Sequence, residues 1–250
     1  MSRFFITLIG AVLLASIALA AESPGVAIVV VICFLILFSC GIAMPQLKFF
    51  GDFVCSGDGT GKRIALTFDD GPDARSTPRL LDLLREEKVE ATFFCIGKRV
   101  EAEPEIVKRM FAEGHRVENH SYAHSNLTNL FPFHKLVADI GAAQHAIESA
   151  TGRAPTLFRP PIGLSNPNIF RAARGFGLRV IGWNIRTFDT RLLEPQRIVE
   201  RVERGLRPGA IVLLHDGNIP VERLLVTVRS VISKLREHGY QIVRLDELIR

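Results

Sequence analysis

Two adjacent carboxylates, Asp69 and Asp70, sit in the stretch TFDDGP, directly after the alternating apolar run Arg63-Ile64-Ala65-Leu66. A strand that ends in a Gly-Pro turn delivers both charges at its C-terminal edge, where α/β sheets place their chemistry. Neighbouring like charges repel. The arrangements that use them are a bound cation or a division into acid and base, while an Asx-turn with a helix cap is the reading without chemistry. His120 and His124, in HSYAH, stand four apart. That spacing is one face of a helical turn, and two imidazoles plus one carboxylate make a facial set for a cation with positions left open to water. Asp70 is the carboxylate available at the same rim. Other polar residues follow other strand-like runs: Arg159-Pro160-Pro161, Asp189, and His215-Asp216. His115, His134, His145 and His238 lack such partners and read as surface or strand-end residues.

The elements that position these groups alternate from Lys62 onward. Strand-like runs are expected at 63–68, 91–96, 115–118, 157–158, 178–183, 210–214 and 241–245. Helices are expected at 78–88 behind Thr77, 105–113 after Pro104, 133–150, 168–175, 195–206 and 221–238, several closed by glycine. Serial β-α alternation specifies a parallel sheet with covering helices, a closed or partly opened barrel, in which the loops after the strands converge at one end.

Ahead of this domain, no charge occurs from Phe4 to Ala20 or from Val26 to Met44. At about 1.5 Å per residue these segments reach roughly 26 and 28 Å, close to the hydrocarbon thickness of a bilayer. The turn-forming residues 21–25 between them predict a transmembrane helical hairpin. Arg3 before an apolar run and the small residues Ala18-Leu19-Ala20 also fit a cleaved signal peptide, which would leave the second segment as an anchor. Arg3, Lys48, Lys62 and Arg63 all flank the same end of the hairpin, so the positive-inside rule puts the folded domain on the cytoplasmic side. Residues 46–61 read as a linker with room for an edge strand.

The chain of 250 residues is 48% hydrophobic, enough for one full-sized core. Arg3 and Glu22 cancel, so the net charge of +5 belongs to residues 46–250. A mildly basic domain beside a membrane suits anionic headgroups or phosphorylated lipids. No helix-turn-helix, aromatic stacking motif or dense Lys/Arg tract points to nucleic acid. Cys33 and Cys40 fall in the second apolar segment; Cys55 and Cys95 read as free, packed thiols.

In order and at these intervals, TFDDGP, HSYAH, FRPPIG, WNIRTFDT and LLHDG resemble the five motifs of the polysaccharide deacetylase family, the chitooligosaccharide deacetylase homology domain. The resemblance covers roughly residues 62–245. It implies a distorted or incomplete parallel β/α barrel that uses one divalent metal ion, commonly zinc, to hydrolyse N-acetyl groups of amino sugars. By resemblance, Asp70, His120 and His124 bind the metal and Asp69 is the general base, held by Arg159. His215 is the general acid, tuned by Asp189, and the Ile162 backbone N–H receives the oxyanion. Trp183, Leu213 and Pro160 face the substrate. Two positions depart from the family pattern: Ile162 stands where an aromatic is usual, and Thr190 where tryptophan is usual. The loss of two stacking platforms disfavours a long free polysaccharide.

The expectation is therefore a carbohydrate N-deacetylase at a bacterial-type inner membrane, acting on a lipid-linked sugar or short glycan. A peptidoglycan or chitooligosaccharide substrate follows if the domain faces outside. Two other classes share part of the pattern. A non-haem iron oxygenase also takes two His and one Asp but has no use for Asp69 or His215, and a glycan-binding module can grow from the same fold.

Overall fold

The computed structural model describes residues 2–191 and 194–249. Two apolar helices, α1 (Arg3–Ala20) and α2 (Pro24–Ala43), open the chain and pack on each other as a hairpin. Both are long and apolar enough to cross a membrane, a test that a signal sequence also passes. Their large side chains, among them Leu13, Ile17, Ile28 and Ile36, are exposed.

The domain that follows has strands β1 (Phe53–Val54), β2 (Arg63–Asp69), β3 (Thr92–Cys95), β4 (Arg116–Asn119), β5 (Leu157–Phe158), β6 (Arg179–Ile181), β7 (Ile185–Arg186), β8 (Ala210–His215) and β9 (Gln241–Ile242). Helices α3 (Thr77–Glu86), α4 (Gly97–Ala102), α5 (Pro104–Ala112), α6 (Phe133–Thr151), α7 (Pro167–Gly175), α8 (Pro195–Gly205), α9 (Val221–Glu237) and α10 (Leu245–Leu248) accompany them. The sheet runs β1-β6-β5-β4-β3-β2-β8-β7, with β9 beside β2, and every ladder is parallel. Among the described residues β1 and β7 do not pair, so the sheet is a curled, incomplete barrel, as expected.

Alternation along the central strands divides the core. Leu66 and Phe68 of β2 and Val212 and Leu214 of β8 pack outward on Leu80 and Leu84 of α3 and Val228 and Ile232 of α9. Ala65 of β2 and Ile211 and Leu213 of β8 pack inward with Phe94, Ile181 and Trp183. A period of two then carries Thr67 and Asp69, and likewise His215, onto the inner face.

The segment 46–61 carries the edge strand for which its sequence leaves room. Its β1 joins the sheet edge, while Phe49 and Phe50 are buried and meet Phe4 and Phe38 of the hairpin. The run 178–183 narrows to β6, leaving Trp183 in the loop beyond. The last strand stops at Ile242, because Leu245 opens a helical turn with Asp246 and Glu247 at its N-terminus, where the helix dipole favours acids. His115 is buried, not superficial: its Nδ1 accepts the Ala91 N–H at 3.1 Å. Burial pushes its pKa down to about 4.

Candidate active site

The site is assembled at the C-terminal ends of β2, β4, β5, β7 and β8. In the parallel register of β2 and β8, Asp69 stands opposite His215, so two candidate proton carriers lie side by side on neighbouring strands. Asp70 leaves the strand with φ 74, a left-handed conformation that Asp tolerates better than most residues. The turn carries Asp70 to both histidines, whereas Asp69 approaches His120.

HSYAH is a bend rather than a helical turn, with Ser121 at φ 65 and His124 at φ 47. Asp139 of α6 holds the bend, its carboxylate accepting the N–H groups of Tyr122 at 3.3 Å and Ala123 at 3.0 Å. Ser121 Oγ accepts the His124 N–H at 3.1 Å. The same pair of imidazoles is thereby brought together, ring centres 4.8 Å apart, by tertiary contacts instead of helical periodicity.

Asp70, His120 and His124 each offer one ligand atom within 4.8 Å of the others. His124 Nε2 is 3.2 Å and His120 Nε2 3.5 Å from Asp70 Oδ1. On the far side of its ring, His120 Nδ1 lies 2.7 Å from the Arg159 carbonyl oxygen. A carbonyl only accepts, so Nδ1 carries a proton and the neutral ring directs its Nε2 lone pair at the other two groups. A lone pair facing a carboxylate oxygen calls for a cation or a proton between them. The residues present thus fit a divalent ion: two imidazole nitrogens, one carboxylate, and a carbonyl orienting the more buried ring. Burial pushes Asp70 upward, but the His120 contact and the charges of His120, His124 and His215 hold it well below the usual carboxylate range. Burial lowers His120, yet the Asp69 and Asp70 carboxylates raise it above its ordinary value; burial and the His120 charge lower His124.

Arg159 is fully buried and donates from Nη1 to Asp69 Oδ1 at 2.6 Å and to Thr67 Oγ at 2.9 Å, and from Nη2 to the Gly182 carbonyl at 3.1 Å. One Asp69 oxygen is tied; Oδ2 faces the cluster, 3.8 Å from His120 Nε2. Asp189 accepts the His215 backbone N–H at 2.7 Å and lies 2.8 Å from its Nδ1. Thr187 braces that carboxylate at 3.1 Å. Burial alone would lower His215, but the Asp189 bond and the charges of Asp189, Asp69 and Asp70 raise it to about 9. A cation among the acids would bring it down.

A histidine raised from 6.5 to about 9 stabilises the fold fully below pH 6.5 and loses that contribution as pH climbs through 9. Metal-stripped protein should therefore show a melting temperature that falls between those limits, and His215→Ala should flatten this slope.

Asp69, Asp70, His120, His124, Ile162, Gly163, Trp183, Arg186, Thr190, Arg191, Leu213 and His215 surround one cavity of about 180 Å³. Ile162 takes φ 61, unusual for a β-branched residue, within a three-residue turn opened by Pro161, which has no N–H, so the first N–H of the turn is that of Ile162, with no partner inside it. Gly163, at φ 73, lies so close to the Trp183 indole that a Cβ would land on the ring. Pro160 is buried and is not among the residues around this cavity, contrary to expectation. Sequence reasoning missed Thr67, Asp139 and Thr187 as supports and Arg186 and Arg191 as lining residues. Thr67 and Thr187 precede the candidate residues Asp69 and Asp189 by two, the strand-face period that could have marked them.

The sequence profile described as "Polysaccharide deacetylase" matches residues 56–181. A peptidoglycan-N-acetylglucosamine deacetylase of Bacillus cereus is 38% identical over 191 residues, covering 76% of this chain and 89% of that protein. A chitooligosaccharide deacetylase of Bradyrhizobium is 38% identical over 205 residues, covering 77% and 93%. The crystal structure of a CE4 family pseudoenzyme from Bacillus anthracis superposes with a TM-score of 0.73 at 29% identity, covering 80% of this chain and 69% of that one. With active and inactive relatives on one scaffold, the side chains at the site, not the fold, decide chemistry. A profile match over half the chain and two relatives of this identity and coverage establish that the chain belongs to the polysaccharide deacetylase family.

Proposed function

We propose that the chain is a divalent-metal-dependent carbohydrate N-deacetylase acting on an acetylated amino sugar in a lipid-linked glycan or envelope polysaccharide. The observation that carries this reading is the His120 Nε2 lone pair aimed at Asp70 and His124, beside Asp69 and His215 on paired strands. Asp70, His120 and His124 would hold a dication, which when bound would supply Lewis-acid polarisation of the amide carbonyl and of the attacking water, and zinc suits the donor set. Asp69 Oδ2 takes the proton as the water oxygen bonds to the amide carbon, and Arg159 keeps the carboxylate aimed. The Ile162 N–H donates to the oxyanion that develops. His215, protonated through its Asp189 contact, gives its Nε2 proton to the departing nitrogen as the C–N bond breaks, leaving acetate and a free amine. Trp183 and Leu213 wall the acetyl group. The paired base and acid favour hydrolysis over an iron oxygenase, which needs neither.

The hairpin of α1 and α2 anchors the domain, and the charges at Arg3, Lys48, Lys62 and Arg63 favour its cytoplasmic side. Peptidoglycan, named for the Bacillus cereus relative, is the substrate class favoured if the domain lies outside. Acetate release by purified, metal-loaded protein from lipid-linked and polymeric amino sugars tests the reading. Turnover of one class is the expected result; no acetate from either, with metal bound, contradicts it. A reporter fused to the C-terminus and active only in the cytoplasm would exclude the polymer.

A further inference from the structure

One wall of the catalytic cavity carries a charge that the hydrolysis does not use. Arg186, the last residue of β7, and Arg191 line the cavity beside His215 and Asp70, with the short Thr190 between them in the lining. The Arg186 guanidinium lies 4.7 Å from the Phe188 ring centre and 5.7 Å from that of Trp183. Arg201 of α8 covers the Phe188 ring at 4.5 Å and donates from Nε to the Arg186 carbonyl at 3.2 Å. Two guanidiniums thus lie over the Phe188 ring, and Phe188 takes φ 59, a strained conformation for an aromatic residue. Arg186 also opens onto a second hollow, of about 230 Å³, that it lines with Arg201 and Arg204.

Among the described residues none of Arg186, Arg191, Arg201 and Arg204 forms an ion pair with Asp or Glu. By contrast Arg229 and Arg236 of α9, and Arg244 just ahead of α10, each reach a carboxylate. Arg186 is held on aromatic faces by packing rather than by a counter-charge, and its pKa is lowered by burial and by the charges of Arg191 and Arg201. Such a cluster is costly alone and favourable around an anion. Planar guanidinium forks suit phosphate or carboxylate. Three of them, none paired with an acid although Asp69 and Asp70 line the same cavity, match the phosphate, with its charge of about −1.5 to −2 and three acceptor oxygens, better than a single carboxylate. The cavity is smaller than the roughly 300–1,000 Å³ of drug-sized sites, so an anion that reaches Arg186 lies close to the acetamide that reaches Asp69.

We propose that Arg186 and Arg191, backed by Arg201, bind a phosphate carried by the substrate itself, so that the amino sugar deacetylated here is a phosphorylated one. This rests on the deacetylase reading above and narrows its substrate.

Two measurements on the full chain keep the two claims apart. Acetate release is compared for N-acetylglucosamine 1-phosphate, N-acetylmuramic acid and neutral N-acetylglucosamine, by wild type and by the double variant Arg186→Gln, Arg191→Gln. The phosphorylated sugar should lead the neutral one in kcat/KM by roughly tenfold to a hundredfold, and the lead should shrink at least about tenfold in the double variant and in high salt. In parallel, N-acetylglucosamine 1-phosphate is titrated calorimetrically into metal-stripped protein, where the double variant should lose the binding seen in wild type. A phosphate preference that is absent or survives the double substitution overturns the proposal, as does a preference for the muramic carboxylate alone. Displacement of the sugar phosphate by phosphatidylglycerol vesicles at equal phosphate would assign the rim to lipid headgroups and overturn it too. Acetate from none of the sugars contradicts the deacetylase reading, and the titration still decides the phosphate site.

Discussion

His120→Ala should abolish stoichiometric metal binding and lower kcat/KM by about a thousandfold or more. The side chain is 2% exposed and is the one ligand whose protonation is fixed from behind, by the Arg159 carbonyl. Its loss leaves Asp70 and His124, two ligands on segments that turn through left-handed residues, with no third to close the set. A Lewis acid contributes several kcal/mol to such a transition state, and each 1.36 kcal/mol is tenfold in rate. The variant should stay folded, because the deleted ring faces the cavity rather than the hydrophobic layers. Metal content and acetate release measured on the same preparation check both halves. Retained metal would remove His120 from the ligand set, and full turnover without metal would reject the chemistry.

Asp69→Asn should separate base from ligand. Metal should remain near one equivalent, since the proposed ligands are untouched, while kcat falls by roughly 10²–10⁴-fold for want of a proton acceptor. A second effect accompanies it. Arg159 is 0% exposed and Asp69 is its only carboxylate partner among the described residues, so the amide leaves a buried guanidinium without counter-charge. Breaking a buried pair costs about 3–5 kcal/mol, so the melting temperature should drop by several degrees. Turnover must be read below that transition. A variant with native stability and native rate would deny Asp69 both roles.

What the sequence disclosed and what it withheld divide along a physical line. Asp69, Asp70, Asp189 and His215 were legible because strand ends bounded by turn residues announce where a loop begins, and charged groups there are rarely incidental. The conformation of HSYAH was not, because it depends on Asp139, one helix later in the chain, whose carboxylate gathers two backbone N–H groups. The six-residue α4 and the two-residue β7 are too short for either periodicity to register. Phe49 and Phe50 were recognisable as apolar, but their destination against Phe4 and Phe38 is a tertiary matter. Nothing in WNIRTFDTR marks Arg186 and Arg191 as cavity residues; the curl of the sheet brings both onto the wall, where the Arg186 guanidinium lies over the Phe188 ring.

The most direct measurement is the metal stoichiometry and coordination of the purified full chain, by elemental analysis with X-ray absorption at the metal edge. One divalent ion per chain, with two imidazole nitrogens and a carboxylate oxygen in its shell, is the predicted result. A chain that takes up no ion at micromolar zinc, or binds it without imidazole, would contradict the account at its root.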